Sequence, residues 1–441
     1  MRLSSSRVYL FGYFAILMVV GGILLWLLPT WAGDGKLSFL DALFTAVSAV
    51  AVTGLITVNT ASYAPIGQAI ILVLIQLGGL GVIAFSTLYL TQPRRRISLQ
   101  RRAMIREYFI GSLEYEPRTI VRKIVMSTLG IELVLAVVLA IGFACTGTDR
   151  VLFTAVFHAV SAFCNAGFST FANSLESFAA MPGVVVPIMI GFVVGGLGFV
   201  VYQDCYRRIR RQRHVLSLHT KIVLAGTAGF IMFGCLFFLI FERSSLSAVP
   251  DGGRFLAALF QSVTPRTAGF DTLPQSSLSG PGAVLTMVLM FTGGAPGSIA
   301  GGVKVTTVII IVMAAIGATD EAGDMRLFRR KLPSQTVSRA LLFVARALLI
   351  VVTSFLLLTV TELVLAGHAF SFRQLSFETL SAFGTVGLSM GITEALSGPG
   401  KVVVMLTMFG GRVGIISLAL PIRGRRWNNL IDYPSGEVLI G

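Results

Sequence analysis

Charge is what this sequence lacks. Asp, Glu, Lys and Arg make up 12% of its 441 residues and 55% are hydrophobic, whereas soluble domains carry roughly 25% charged residues. With a mean hydropathy of +0.84, there is too little polar surface to face water, and the solvent to read against is a lipid bilayer. Cysteine and histidine are equally scarce, four of each. Cys145, Cys164, Cys205 and Cys235 show no CxxC spacing, which gives no disulfide framework and no zinc site. The histidines are scattered and none begins an HExxH string, so no metal or nucleophile cluster marks an enzyme, and no cofactor is expected in the chain.

The charge that is present is basic and falls in blocks. Net charge is +15. Residues 91–123 hold nine Lys/Arg, including Arg94-Arg95-Arg96; residues 203–221 hold six, residues 319–346 six and the tail after 421 three. The alternate gaps, 29–65, 146–182, 243–282 and 367–400, hold six in all. This is the positive-inside pattern, which puts the basic blocks and both termini in the cytoplasm of a multi-pass plasma-membrane protein. Charge that sets topology needs no nucleic-acid partner. The first apolar run, Val8 to Leu28, exceeds the ~7–15 residues of a signal-peptide core and reads as a retained span.

What the chain has instead is repetition. Residues 44–55 read FTAVSAVAVTGL, 157–168 FHAVSAFCNAGF, 260–270 FQSVTPRTAGF and 377–388 FETLSAFGTVGL. Their glycines, Gly54, Gly167, Gly269 and Gly387, lie 113, 102 and 118 residues apart. A Gly-Gly pair follows each, at 78–79, 195–196, 293–294 and 410–411. Two marks in the same order four times signal an internal repeat. Each unit is expected to hold a spanning run (8–28, 124–145, 220–241, 340–366), a half-helix too short to cross (38–50, 150–163, 252–263, 371–383), a glycine loop and a second run (66–90, 183–202, 283–318, 399–421). The fold class is therefore all-α membrane protein: eight spans and four re-entrant half-helices around one pseudo-four-fold pore. The repeats run 1–92, 93–206, 207–332 and 333–421, with a cytoplasmic tail at 422–441.

That arrangement suits a cation. An ion stripped of water needs substitute ligands, and loop carbonyls turned toward a common axis supply them. Irregular backbone survives at membrane depth only where it is buried or lines a wet cavity. Each half-helix ends at its loop, so four negative helix ends face the site. Thr385-Val386-Gly387-Leu388 resembles most of a potassium-channel filter loop. The other loops, Val52-Thr53-Gly54, Asn165-Ala166-Gly167 and Thr267-Ala268-Gly269, match it only in part, so a degenerate filter with weaker discrimination among alkali ions is expected.

These marks together resemble the Trk/Ktr/HKT superfamily of potassium transporters, most closely the membrane subunit of bacterial Ktr systems, over nearly the whole chain. The resemblance implies that Gly54, Gly167, Gly269 and Gly387 select K+, the transported ion, with Na+ a candidate activator. In the plant branch of that superfamily, serine at the first of these positions goes with sodium preference, and Gly54 is similar to the potassium-permeable members. The resemblance further implies a homodimer with one pore per chain, and a cytoplasmic RCK-type nucleotide-binding ring as partner.

GGAPGSIAGG, residues 293–302, should break its helix, because Pro296 removes a backbone donor and Gly293, Gly294, Gly297, Gly301 and Gly302 loosen the chain around Ala295 and Ser298. No Lys-Ser/Thr follows Gly302, so a phosphate-binding loop is not indicated. By resemblance this segment is an intramembrane gate. Arg412 lies mid-run in the last span, where a charge is costly and faces a cavity or partner; by resemblance it is an electrostatic barrier, with Lys304 beside it. Asp41, Asn59, Asp271, Glu378 and His158 fall near the outer mouth, with solvated or helix-capping roles expected. The competing reading is a secondary transporter with alternating access, which usually shows two inverted halves.

Overall fold

The computed structural model describes residues 5–33, 35–91, 117–211, 215–317 and 324–414. The Arg94-Arg95-Arg96 block and the tail after 421 lie outside the described residues. The rest is helical apart from one small hairpin. In order come α1 (Ser5–Leu27), α2 (Phe39–Ala51), α3 (Pro65–Thr91), α4 (Pro117–Ala144), α5 (Val151–Phe163), α6 (Pro182–Leu197) and α7 (Phe199–Ile209). After them come α8 (Leu218–Phe241), α9 (Arg254–Val263), α10 (Gly280–Phe291), α11 (Val305–Ala315), α12 (Ser334–Thr359), α13 (Phe372–Gly384) and α14 (Gly398–Phe409). Between α11 and α12, β1 (Met325–Leu327) and β2 (Arg330–Leu332) form an antiparallel hairpin. Pi-helical turns extend α12 over Val360–Leu365 and α14 over Gly410–Gly414.

Three helices among the described residues are unbroken and apolar enough to cross a bilayer: Val121–Ala144, Leu218–Phe241 and Ser334–Leu365. Their outward faces carry exposed Leu133, Ile141, Met232, Phe233, Leu349 and Leu356, a surface that fits hydrocarbon and not water. Helices α1 and α3 are also long, 23 and 27 residues. The run expected to be continuous at 183–202 is instead two helices, α6 and α7, bent by 98°. The cause is Gly198, at φ 84° and ψ 151°, a conformation open essentially to glycine alone. The long run at 283–318 is likewise interrupted, between Phe291 and Val305.

The short helices α2, α5, α9 and α13 are the buried centre. Phe44, Phe157, Phe260 and Phe377, the first letters of the four repeated strings, are all fully buried. Serines fix two of the starts. Ser38 Oγ accepts from the Asp41 N–H at 3.1 Å, and Ser371 forms a reciprocal capping box with Gln374, each satisfying an orphan donor of the first turn.

Candidate functional site

Three of the short helices end alike. After α2, the Val52 N–H donates to Ala49 O and the Thr53 N–H to Ser48 O. After α5, the Asn165 and Ala166 N–H groups donate to Ala162 O and Ser161 O; after α13, those of Thr385 and Val386 donate to Ala382 O and Ser381 O. This paired closure requires a left-handed residue, normally glycine. Here the residues are Val52, Asn165 and Thr385, at φ 55°, 56° and 51°; Thr267 stands at φ 73° in the third loop. Left-handed β-branched residues are strained and persist only where surroundings over-determine them. The glycine two places on also has positive φ in every loop.

The four loops lie against one another in a closed cycle. A Cβ added to Gly54 would meet Ala166 O at 2.5 Å and Gly167 Cα at 3.1 Å. One on Gly167 would meet Gly269 Cα at 3.0 Å and Ala268 O at 3.1 Å. One on Gly269 would fall on Val386 O, and one on Gly387 on Thr53 O with Gly54 Cα at 2.9 Å. Each glycine therefore abuts the carbonyl that precedes the next glycine, and the fourth loop returns to the first. A methyl group at any of the four displaces backbone, not a flexible side chain.

Hydroxyls hold the loops from behind. Ser48 Oγ accepts the Gly54 N–H at 3.0 Å and Ser381 Oγ the Gly387 N–H at 3.1 Å. Ser161 Oγ donates to Phe168 O at 2.7 Å and Thr264 Oγ1 to Phe270 O at 2.6 Å. Sequence reading passed over these four residues, although the Ser or Thr recurs at the same place in every string. Asn165 reaches Thr267 across the second seam: with its amide nitrogen donating to the Phe192 and Ala162 carbonyls, its oxygen accepts from Thr267 Oγ1 at 3.1 Å. The buried hydroxyls of Thr53 and Thr385 have no partner.

The glycine pairs acquire a reason. A Cβ on Gly78 would fall on Val50 O, one on Gly195 on Phe163 O and one on Gly411 on Phe383 O. In each case the carbonyl belongs to the residue four before the loop glycine. The second helix of the unit thus packs directly onto the end of its own short helix. In the third unit the space beside Gly293 is taken by Gly301 O, a carbonyl of the interrupted segment itself.

That segment touches the fourth loop, the bend at Gly198 and Arg412. The Gly293 N–H donates to Val303 O at 2.8 Å, the Ala295 N–H to Gly196 O at 2.9 Å and the Val305 N–H to Gly294 O at 3.1 Å. Ser298 Oγ donates to Ala295 O at 2.6 Å. The carbonyl of Pro296 and the carbonyl carbon of Gly297 occupy the space beside Gly198, at 3.1 and 3.2 Å from a Cβ there. Gly301 abuts the hydroxyl of Thr385, and Gly302 takes a positive φ of 62°. Lys304 Nζ donates to Ala300 O at 2.5 Å. Arg412, 3% exposed, donates to Ile299 O and, at 3.2 Å, to Gly78 O. No carboxylate pairs with it among the described residues.

The outer residues divide. Asp41 sits in the first turn of α2 and pairs with Lys401 at 2.7 Å, and Asn59 caps a short turn through the Ala61 N–H. His158 and Glu378, by contrast, are fully buried, so a solvated role for them is corrected. Residues 387–391 also spell GxSxG, the string of a hydrolase nucleophile turn. Here Ser389 donates to Glu378 at 2.8 Å and no strand precedes it, so the string carries no such chemistry.

A model of the TrkH family, described as cation transport protein, matches residues 14–426. The chain belongs to that family. It is a family of transporters and not of enzymes. Ktr system potassium uptake protein B of Vibrio alginolyticus is 36% identical over 442 residues, covering 99% of this chain and 95% of that protein. The protein of the same name in Bacillus subtilis is 36% identical, with 100% and 97% covered. Potassium/sodium uptake protein NtpJ of Enterococcus hirae is 35% identical, with 100% and 98% covered. The crystal structure of the potassium transporter TrkH from Vibrio parahaemolyticus shares the fold, with a TM-score of 0.71 at 19% identity over 95% of this chain and 84% of that one.

Proposed function

We propose that the chain takes up potassium through a pore whose selective ring is formed by the loops at Gly54, Gly167, Gly269 and Gly387. The observation that carries this reading is the closed cycle of contacts between each glycine and the carbonyl preceding the next. Four carbonyls from one polypeptide, those of Thr53, Ala166, Ala268 and Val386, each lie against a neighbouring loop's glycine, and turned to one centre they can replace the water of a monovalent cation. The partnerless hydroxyls of Thr53 and Thr385 add oxygen ligands, and the C-terminal ends of four short helices favour positive charge. The printed names of the relatives, potassium uptake and potassium/sodium uptake, agree with an alkali cation as substrate.

In this reading residues 293–304 are the gate. The segment closes the path below the ring, held by Arg412 at Ile299 and Gly78, and opening requires those contacts to part. Both termini lie in the cytoplasm of the cell membrane, the protein works as a homodimer, and a nucleotide-binding RCK-type ring docks on the basic cytoplasmic loops, with Na+ a candidate activator. The name "Ktr system" borne by two relatives agrees with such a multi-component assembly.

Potassium uptake in a cell deficient in potassium transport tests the reading, comparing the native chain with Gly387→Ser. Native rescue with loss of uptake in the variant supports it. Reconstituted protein should pass K+ down its gradient without a counter-ion. Uptake that strictly requires a coupled ion would instead favour alternating access.

A further inference from the structure

Behind each loop stands a polar residue that the transport reading leaves unused. One helical step after the buried Phe of each string come Thr45, His158, Gln261 and Glu378, and all four are fully buried. A buried polar side chain in a membrane protein is costly unless satisfied. Here each is satisfied by the chain that follows the glycine. Glu378 accepts from Ser389 Oγ at 2.8 Å and Thr393 Oγ1 at 2.5 Å, and those two hydroxyls meet at 2.9 Å. Gln261 donates to Gln275 Oε1 at 2.9 Å, and Gln275 donates to Asp271 Oδ1 at 2.8 Å. His158 Nε2 lies 2.9 Å from Ser169 Oγ. Thr45 Oγ1 accepts from the Tyr63 hydroxyl at 3.1 Å.

The third and fourth clusters have one plan. Residue 271 stands two places beyond Gly269, as 389 does beyond Gly387; residues 275 and 393 stand six places beyond. Each cluster holds one carboxyl group, but in different positions. It is on the short helix in the fourth unit, as Glu378, and beyond the loop in the third, as Asp271. His158 completes the pattern in the unit opposite the fourth. Its ring also stacks at 6.1 Å on Phe270 of the adjoining loop.

We propose that Glu378 and Asp271, through these clusters, are positioning residues that determine which alkali cation the glycine ring accepts. The proposal rests on the potassium-pore reading above. The backbone between a loop glycine and its cluster is short, so a fixed cluster limits how far the ring carbonyls can close in on a smaller ion. A buried carboxyl group bonded to two hydroxyls makes that limit firm, because breaking either bond would leave a buried polar atom unsatisfied. Neither residue touches the ion. Both act on the loop from outside the ring, and selectivity is distributed into its backing.

The test is K+ uptake and its inhibition by Na+ in proteoliposomes, for the full chain and for Glu378→Gln, Ser389→Ala, Thr393→Val and Asp271→Asn. Glu378→Gln keeps size and shape and replaces one of the two acceptor oxygens with an amide donor. It is expected to lower the preference for K+ over Na+ by about tenfold, the scale of one lost buried hydrogen bond, while maximal K+ flux changes less. Asp251→Asn removes an exposed carboxylate at the foot of the third short helix, salt-bridged to Arg254, and should leave the preference unchanged. Should Glu378→Gln fail to fold, Ser389→Ala and Thr393→Val decide, since each removes one donor and spares the carboxylate. Folded variants with native K+/Na+ preference overturn the proposal alone. Native protein that moves no alkali cation overturns the pore reading and this proposal with it.

Discussion

Lys401 and Asp41 are 360 residues apart in sequence and their side chains meet at 2.7 Å. The contact joins the first turn of α14 to the first turn of α2, the last quarter of the chain to the first. Other bonds on the same side join the remaining quarters in order. Asn59 donates to Ala172 O at 2.9 Å, the Leu175 N–H to Asp271 O at 2.8 Å, and Arg373 to Leu278 O at 3.4 Å. The glycine cycle therefore has a second counterpart, in which each quarter holds the next. Both partners of the ion pair are largely shielded, 14% and 18% exposed, which places it between a solvated pair of little worth and a buried one that is costly to break.

Asp41→Asn and Lys401→Met should each lower thermal stability in detergent, by about 1–3 kcal/mol for a partly shielded pair. The double variant should lose less than the sum of the two. Additive losses in that double-mutant cycle would mean that the two charges do not interact, and that the seam is held by packing alone.

The glycine pairs allow a sharper comparison within one dipeptide. A Cβ on Gly411 would fall on Phe383 O, whereas Gly410 has nothing within 4 Å. Gly411→Ala should destabilise by about 1–3 kcal/mol through overpacking against backbone. Gly410→Ala should be neutral, or gain up to ~1 kcal/mol from helix propensity. Thermal unfolding of the two variants side by side checks this. Equal effects would show that the pair acts as a flexible unit, with no close approach at Gly411.

The repeated strings were legible in sequence because each carries a steric demand that few residues meet. Gly54, Gly167, Gly269 and Gly387 sit at positive φ against neighbouring backbone, so glycine recurs at that spacing. The starts of α2, α5, α9 and α13 fall within two residues of the expected ones, since a short apolar run ahead of a glycine loop has few alternatives, and serine caps fix two of the four. The bend at Gly198 was not legible, because nothing local marks it. Gly198 is one of 47 glycines, and its strain is fixed by Pro296 and Gly297, about a hundred residues on. Glu378 and His158 were misplaced for a related reason. A polar residue in a half-helix near the outer mouth reads as solvated until the chain after the glycine is seen to fold back over it.

Two further glutamates show how the spans are fastened. Glu242 accepts from the Ser279 N–H at 3.0 Å and from Ser245 Oγ at 2.9 Å. Glu362 accepts from the Ser397 N–H at 3.2 Å and lies 2.7 Å from His368 Nδ1. Each serine opens an SGPG string that starts α10 or α14, and a Cβ on Gly282 or Gly400 would fall on the carboxylate oxygen. Gly282→Ala and Gly400→Ala should therefore cost about 2–4 kcal/mol, as the carboxylate is pushed off its donors. Retained thermal stability in both would mean that the carboxylates have another resting place.

Arg412 separates charge from anchorage. Its guanidinium holds Ile299 O and Gly78 O, so it places a positive charge beside the interrupted segment and ties that segment to α3. Arg412→Ala removes both, and K+ uptake should rise severalfold if the segment and the charge oppose flux. Arg412→Lys keeps the charge but cannot present two fork donors to two carbonyls. Uptake at the native rate in the lysine variant, with a rise in the alanine variant, would assign the barrier to charge. A rise in both would assign it to the tie between Arg412 and the segment, and shortening 295–301 should then raise uptake even with Arg412 in place. No rise in any of the three, with the fold intact, would put the barrier somewhere other than Arg412 and the segment it holds.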